Sequence, residues 1–142
     1  MTTLHDAIVT SLYYFRGMRG RKALIILSDG EDTASHIPFN NALEYARRSG
    51  VVVYTVGLNI GKLQTSIRGK LKDLADESGG RVFFISKAEE LRQVYREIED
   101  ELRSQYLLTY SSDRPGGDGE YREIEIKMSG KYKARTMRGY YS

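Results

Sequence analysis

Three carboxylates, Asp29, Glu31 and Asp32, stand within four positions directly after the apolar run Ala23–Leu27. Acids at the end of a buried strand have a short menu of chemistry. They can hold a hard cation such as Mg²⁺, which takes oxygen ligands and keeps several waters. An Asp there can also attack phosphorus as a nucleophile, with Asp32 or Glu31 assisting. That reaction needs an activating metal or base and a cradle for the charge that develops. No G-x-S-x-G, Cys-His or Walker pattern supplies one, and "RPGGDG" lies in a hairpin rather than between strand and helix. The expectation is therefore a protein that is not an enzyme. The third option is a plain acidic turn, with Gly30 permitting the sharp bend and the acids in water. By spacing alone the turn is favoured. His5 and His36 are the only histidines, and no His-x₃-His or similar spacing joins them with Asp29 into a transition-metal site.

The elements that must position these groups are readable from periodicity. Leu4, Ala7, Ile8, Leu12 and Phe15 share one helical face, and "RGMRGRK" ends that helix with Gly17 and Gly20. "ALIIL" is continuously apolar, which marks a strand buried on both faces. Pro38 suits the first turn of a second helix carrying Phe39, Ala42, Leu43 and Ala46, capped by Gly50. "VVVYTVG" and "RVFFI" are further buried strands. "LNIGKLQTSIRG" reads as a loop with a turn of helix, and "KLKDLADESGG" as a helix closed by Gly79 and Gly80. Ser86 and Glu89 have capping-box spacing before the most amphipathic helix, which carries Leu91, Val94, Tyr95, Ile98 and Leu102. Helices alternating with continuous apolar strands imply crossovers and a parallel sheet.

After Ser104 the pattern changes. "QYLLTY", "YREIEIKM" and "YKARTMRGYY" alternate between turn-rich segments and read as antiparallel strands. A three-residue turn at Ser129, Gly130 and Lys131 would set Met128 opposite Tyr132, Ile126 opposite Ala134 and Ile124 opposite Thr136. The predicted organisation is an α/β domain over residues 1–104, with an antiparallel β extension over 105–142 packed on it.

Bulk properties exclude several classes. At 142 residues, with 40% apolar and 29% charged residues, the chain is of single-domain size and ordinary globular composition. A net charge of +3 is too small to imply nucleic acid. Lys131, Lys133, Arg135 and Arg138 with Tyr132, Tyr140 and Tyr141 would make a basic aromatic surface, but Glu120, Glu123 and Glu125 intersperse it. No apolar run approaches the roughly 20 residues that span a bilayer. Cysteine is absent, which removes disulfides and thiolate metal sites.

"ALIILSDGEDT" resembles the third metal-site segment of the von Willebrand factor type A domain, and "TTLHDAI" resembles the second. "VVVYTVGL", "LADESGGRVFFI" and "ELRSQYLLTY" continue the likeness in the family's order, and "RTMRGYYS" resembles the ending of bacterial relatives. The resemblance implies a Rossmann-like α/β sheet flanked by helices and a metal-ion-dependent adhesion site holding Mg²⁺ or Mn²⁺. Carried over by position, Thr2 supplies the hydroxyl ligand and Asp29 the carboxylate. Thr3, Glu31, Asp32 and Thr33 stand at the rim, with Thr3 the alternative to Thr2. The implied function is adhesion-type protein binding, with an acidic residue of the partner completing the coordination. The family is commonly exported, while "MTTLHDAIVTSLYYF" lacks the pattern of a signal peptide.

The sequence departs from the family at one place. No Asp is followed at two and four positions by Ser, so the segment that supplies most inner ligands is not found. The expectation is an incomplete metal site, a sheet lacking its N-terminal half, and an open apolar edge on the "ALIIL" strand. Such an edge invites pairing, most simply in a two-fold homodimer, the alternative being that the C-terminal strands fold back over the gap. The alternative function is accordingly a structural fragment that assembles through that edge.

Overall fold

The computed structural model describes residues 2–114 and 116–142. Helix α1 (Leu4–Tyr14) precedes strand β1 (Ala23–Ser28), and α2 (Phe39–Ser49), β2 (Val52–Leu58), α3 (Thr65–Ser78), β3 (Val82–Ile85) and α4 (Leu91–Arg103) alternate after it. The three strands form a parallel sheet in the order β1-β2-β3, with Ala23 opposite Val52 and Thr55 opposite Val82. One face, through Ile26 and Val53, packs on Ile8 and Leu12 of α1, Ala46 of α2 and Leu74 of α3. On the other, Tyr54, Val56, Phe83 and Ile85 pack on Val94 and Ile98 of α4. Burial on both faces is why β2 and β3 read as apolar runs. The expectation of full burial fails for β1: Ile26 is buried on the α1 side, but Ile25 and Leu27 on the other face are exposed.

Close approach of β2 to the end of α3 ties the layers together. Ser78 Oγ accepts the Val53 N–H at 2.9 Å, and the Thr55 hydroxyl donates to the Leu71 carbonyl at 2.8 Å. At Gly80 a Cβ would lie 2.0 Å from the Val53 carbonyl oxygen, so only glycine admits this contact. Gly79 before it has a φ of 82° and closes α3 in the left-handed conformation.

Helix α3 begins at Thr65, so the turn of helix expected in "LNIGKLQTSIRG" is continuous with the helix predicted after it. Ile67 is buried with Ile60 and Leu71. That burial, worth about 2 kcal/mol, exceeds the roughly 1 kcal/mol helix penalty of Gly69. The expected Ser86–Glu89 cap is made by Glu90 instead, whose Oε1 accepts from Ser86 N at 3.1 Å and Lys87 N at 2.9 Å. A 3₁₀ turn at Ala88–Glu90 shifts the reach by one residue. Ala7, placed on the buried face by periodicity, is exposed.

The C-terminal part is antiparallel as predicted, but less regular. Residues 105–110 form no strand; β4 (Tyr121–Glu123) pairs with β5 (Gly139–Tyr141), Arg122 lying opposite Tyr140. This register is two residues away from the one derived from the turn, so each side chain keeps its predicted face. Docking onto α2 and α3 sets it. The Tyr141 hydroxyl donates to Glu44 at 2.7 Å, and Arg138 Nη1 meets the buried Glu77 at 3.0 Å.

Candidate functional site

The loop after β1 and the first turn of α1 are locked together by reciprocal hydrogen bonds. A helix start leaves its first N–H groups without internal partners, and a nearby side chain normally takes them. Thr3 holds the N-cap position but makes no side-chain bond to the helix. Asp32 does this work from across the loop: its Oδ2 accepts the His5 N–H at 2.9 Å. The same carboxylate accepts the Ser35 hydroxyl at 2.5 Å and the Ser35 N–H at 2.9 Å. Ser35 Oγ in turn accepts the Asp6 N–H at 3.1 Å. Asp6 completes the exchange, its carboxylate accepting from the N–H groups of His36 at 3.0 Å and Ile37 at 2.9 Å.

This lock also fixes the Thr2 segment. Thr2 N–H donates to Thr33 Oγ1 at 2.9 Å, while the Thr2 carbonyl accepts from Thr33 and Ala34. Thr2 and Thr33 are thus brought together, both exposed. Thr3 is exposed beside them. Ser28, the last residue of β1, is buried, and its hydroxyl donates to the Gly30 carbonyl at 2.9 Å.

The acids divide sharply. The Asp32 side chain is only 7% exposed and saturated with donors. Burial alone would raise its pKa, but the Ser35 hydroxyl, the His5 and Ser35 N–H groups and the His5 ring together hold it well below the ordinary carboxylate range. Asp6 is likewise lowered, chiefly by the His36 and Ile37 N–H groups. Asp29 and Glu31 are both exposed, and neither has a hydrogen bond or ion pair among the described residues. Asp29 stands at the carboxyl end of β1, where open α/β sheets bind ligands.

The histidines belong to the lock. His5 Nδ1 lies 3.1 Å from the Ile37 carbonyl, which requires the proton on that nitrogen, and its ring packs on Phe39. His36 Nδ1 faces Asp6. Among the described residues no group of three His, Cys, Asp or Glu comes together to hold a metal ion. The oxygens of Thr2 and Asp29 suit Mg²⁺ or Mn²⁺ in kind, but fall short in number of the octahedral set such an ion demands. Among the described residues, Thr2 and Asp29 by themselves supply two of the six ligands, the rest falling to water or other groups.

Asp6 and Ser35 were not singled out by sequence reasoning, and Asp32 was placed at the rim. The available signal was the spacing Thr3-x-x-Asp6, which has the form of a capping box. Nothing local marks Asp32 as the partner, because it reaches the helix across 27 residues.

The von Willebrand factor type A domain model matches residues 1–97. The chain belongs to this family. Domains of the von Willebrand A family are typically non-enzymatic protein-interaction modules, and they often bind a metal ion at the adhesion site. Solved structures similar to the chain include "Crystal Structure of Uncharacterized Membrane Spanning Protein from Vibrio fischeri", at 20% identity and a TM-score of 0.50. That likeness covers 66% of this chain and 52% of the other, so the chain spans about half of that protein. It bears on the fold alone. No curated protein matches the chain. Among the described residues, no helix is long and apolar enough to cross a membrane.

Proposed function

We propose that this von Willebrand A domain is an adhesion-type protein-binding module whose contact surface centres on Asp29, at the carboxyl end of β1. One observation carries the reading: the neighbouring Asp6 and Asp32 are consumed by the loop–helix lock, while Asp29 is exposed and unengaged on the same rigid platform. In this reading Thr2 and Thr33, which are bonded to each other, belong to the same surface, with Thr3 and Glu31 at the margin. Because Thr2 and Asp29 do not complete a site for Mg²⁺ or Mn²⁺, any ion here draws its remaining ligands from water, from an acidic residue of the partner, or from chain beyond this segment. The test is thermal melting of wild type and Asp29→Ala during titration with MnCl₂. A ligand that binds only the folded state raises its stability as concentration passes the dissociation constant. A rise in wild type that is lost in Asp29→Ala supports the reading; equal responses overturn the role of Asp29.

A second reading is favoured by a separate feature. Among the described residues strand β1 pairs with β2 alone, and its Ile25 and Leu27 are 37% and 48% exposed. An edge strand of this composition is a template for another strand. In this reading the chain associates through its sheet edge, with a homodimer as the simplest product.

A further inference from the structure

The excess positive charge of the chain is gathered in one place. The loop between α1 and β1, residues 16–22, reads "RGMRGRK". It holds four cations, Arg16, Arg19, Arg21 and Lys22, and no acid, which is more than the whole chain's net charge of +3. Arginines that precede the other strands are neutralised: Arg48 by Glu44 at 2.8 Å, Arg47 by Glu77 at 2.9 Å and Arg81 by Glu101 at 3.0 Å. Among the described residues none of the four loop cations has an ion pair. We propose that this loop is a docking surface for a bilayer of anionic lipid, met at the level of the headgroups.

The loop is internal to the chain, and contacts at both of its ends fix it. Phe15 packs against the cluster of Ile8 and Leu12, and the Lys22 carbonyl accepts the Val52 N–H at 3.0 Å. Between these anchors Gly17 and Gly20 take φ of 76° and 90°, and a Cβ added at either would meet nothing within 4 Å. The segment therefore bulges into solvent rather than lining a cleft. Arg16, Met18, Arg19 and Arg21 are all exposed on it, Met18 by 56%. A convex surface with cations around an apolar tip suits a flat anionic interface. The charges meet lipid phosphates and carboxylates, and the Met18 side chain enters the headgroup layer. The same loop suits nucleic acid poorly, because it forms no groove to track a phosphate backbone and contains no aromatic residue to stack on a base.

Position along β1 gives this contact a consequence. The loop enters β1 at Ala23, whereas Asp29 follows its last residue, Ser28. A strand of six residues spans about 20 Å, so the cations and the exposed Asp29 stand at opposite ends of one rigid element. Helix α1 has the same polarity: its first turn is held by Asp32, and the basic loop follows its last. A bilayer bound at the loop therefore leaves the Asp29 end facing away from the membrane. Lipid contact requires nothing of Asp29 itself, so it stands or falls separately from adhesion at that residue.

Co-sedimentation with vesicles provides the test, using phosphatidylcholine alone and phosphatidylcholine with about one-third phosphatidylserine, in about 0.1 M NaCl. The expected result is binding to the anionic vesicles only, weakening as salt rises. Arg19→Ala with Arg21→Ala should lower the association constant about 25-fold, at about fivefold per cation. Both side chains are exposed and unpaired, so the melting temperature of this variant should match wild type. Equal binding to the two vesicle types, or binding to neither, would overturn the proposal. Tighter binding to a short DNA duplex than to the anionic vesicles would overturn it too, by making the loop a nucleic-acid contact. Lys131→Ala with Lys133→Ala removes two cations outside the loop and should leave vesicle binding within about twofold of wild type. A loss there equal to that of the loop variant would show that total charge governs binding, and would overturn the assignment to the loop.

Discussion

Asp32→Ala should destabilise the fold far more than Asp29→Ala, although the two acids stand three positions apart in one loop. The magnitude follows from what each carboxylate touches. Removing Asp32 deletes the acceptor for the His5 N–H at the start of α1, a capping loss of about 1 kcal/mol. It also strands the Ser35 hydroxyl and N–H in a half-buried setting, at about 1 kcal/mol or more each. The sum is about 3 kcal/mol, or roughly 10 °C in melting temperature for a chain of this size. Asp32→Asn keeps one oxygen acceptor and should lose about half as much. Asp29 is exposed with no partner among the described residues, so Asp29→Ala should stay within about 0.5 kcal/mol of wild type. Far-UV circular dichroism melts of the three variants make the comparison.

The same carboxylate predicts a pH signature. Its folded pKa is lowered from the ordinary value of 3.8, so between the folded and unfolded values the unfolded state binds more protons and stability rises with pH. The Asp32 contribution is fully present above the unfolded value and fades as pH falls toward the folded one. The gap between wild type and Asp32→Ala should therefore be flat above about pH 5 and narrow below about pH 4. An Asp32→Ala melt within about 2 °C of wild type, or an Asp29→Ala loss of equal size, would refute the structural division of the two acids.

Other elements allow equally direct tests. Glu77 is buried and meets Arg47 Nε at 2.9 Å and Arg138 Nη1 at 3.0 Å, so Glu77→Gln should cost about 2 kcal/mol in urea unfolding, discounted because Arg138 is half exposed. Gly69→Ala, inside α3 with nothing near an added Cβ, should stabilise by about 0.5–1 kcal/mol. Gly80→Ala, driving a Cβ toward the Val53 carbonyl, should destabilise by about 3 kcal/mol or prevent folding; a neutral result would mean that α3 and β2 can separate.

Most of the α/β frame was legible because it rests on local signals. The apolar runs at Ala23–Leu27 and Val51–Val56 mark strands, although the first is buried on one face only, and Gly50 and Gly79 mark helix ends through conformations other residues avoid. What failed were features decided by distant contacts. The continuity of α3 from Thr65 depends on Ile67 reaching Ile60. The register of β4 and β5 depends on Glu44 and Glu77 gripping the extension, a force the turn sequence does not encode. Asp32 belongs to the same class. Its role is written in the position of α1, which lies far back in the chain, and the neighbouring "DGED" composition points only to a turn.

The lock changes what an acid cluster means in this loop. Three carboxylates after a strand suggest joint action, yet Asp32 can be held ionised and buried only because its acceptor capacity is spent on His5, Ala34 and Ser35. A group in that state has little left to offer a ligand. Its consequence is geometric: by pinning α1 to the loop it also holds Thr2 against Thr33. On the proposed reading, in which a partner contacts the free carboxylate Asp29, the lock would spare the surface a reorganisation, and binding by a preorganised surface keeps more of its contact energy. The stability of the fold and the availability of the site are in this sense assigned to different acids. The separation runs one way: Asp29 variants should alter binding at constant melting temperature, whereas Asp32 variants, by loosening the lock, should lower both together.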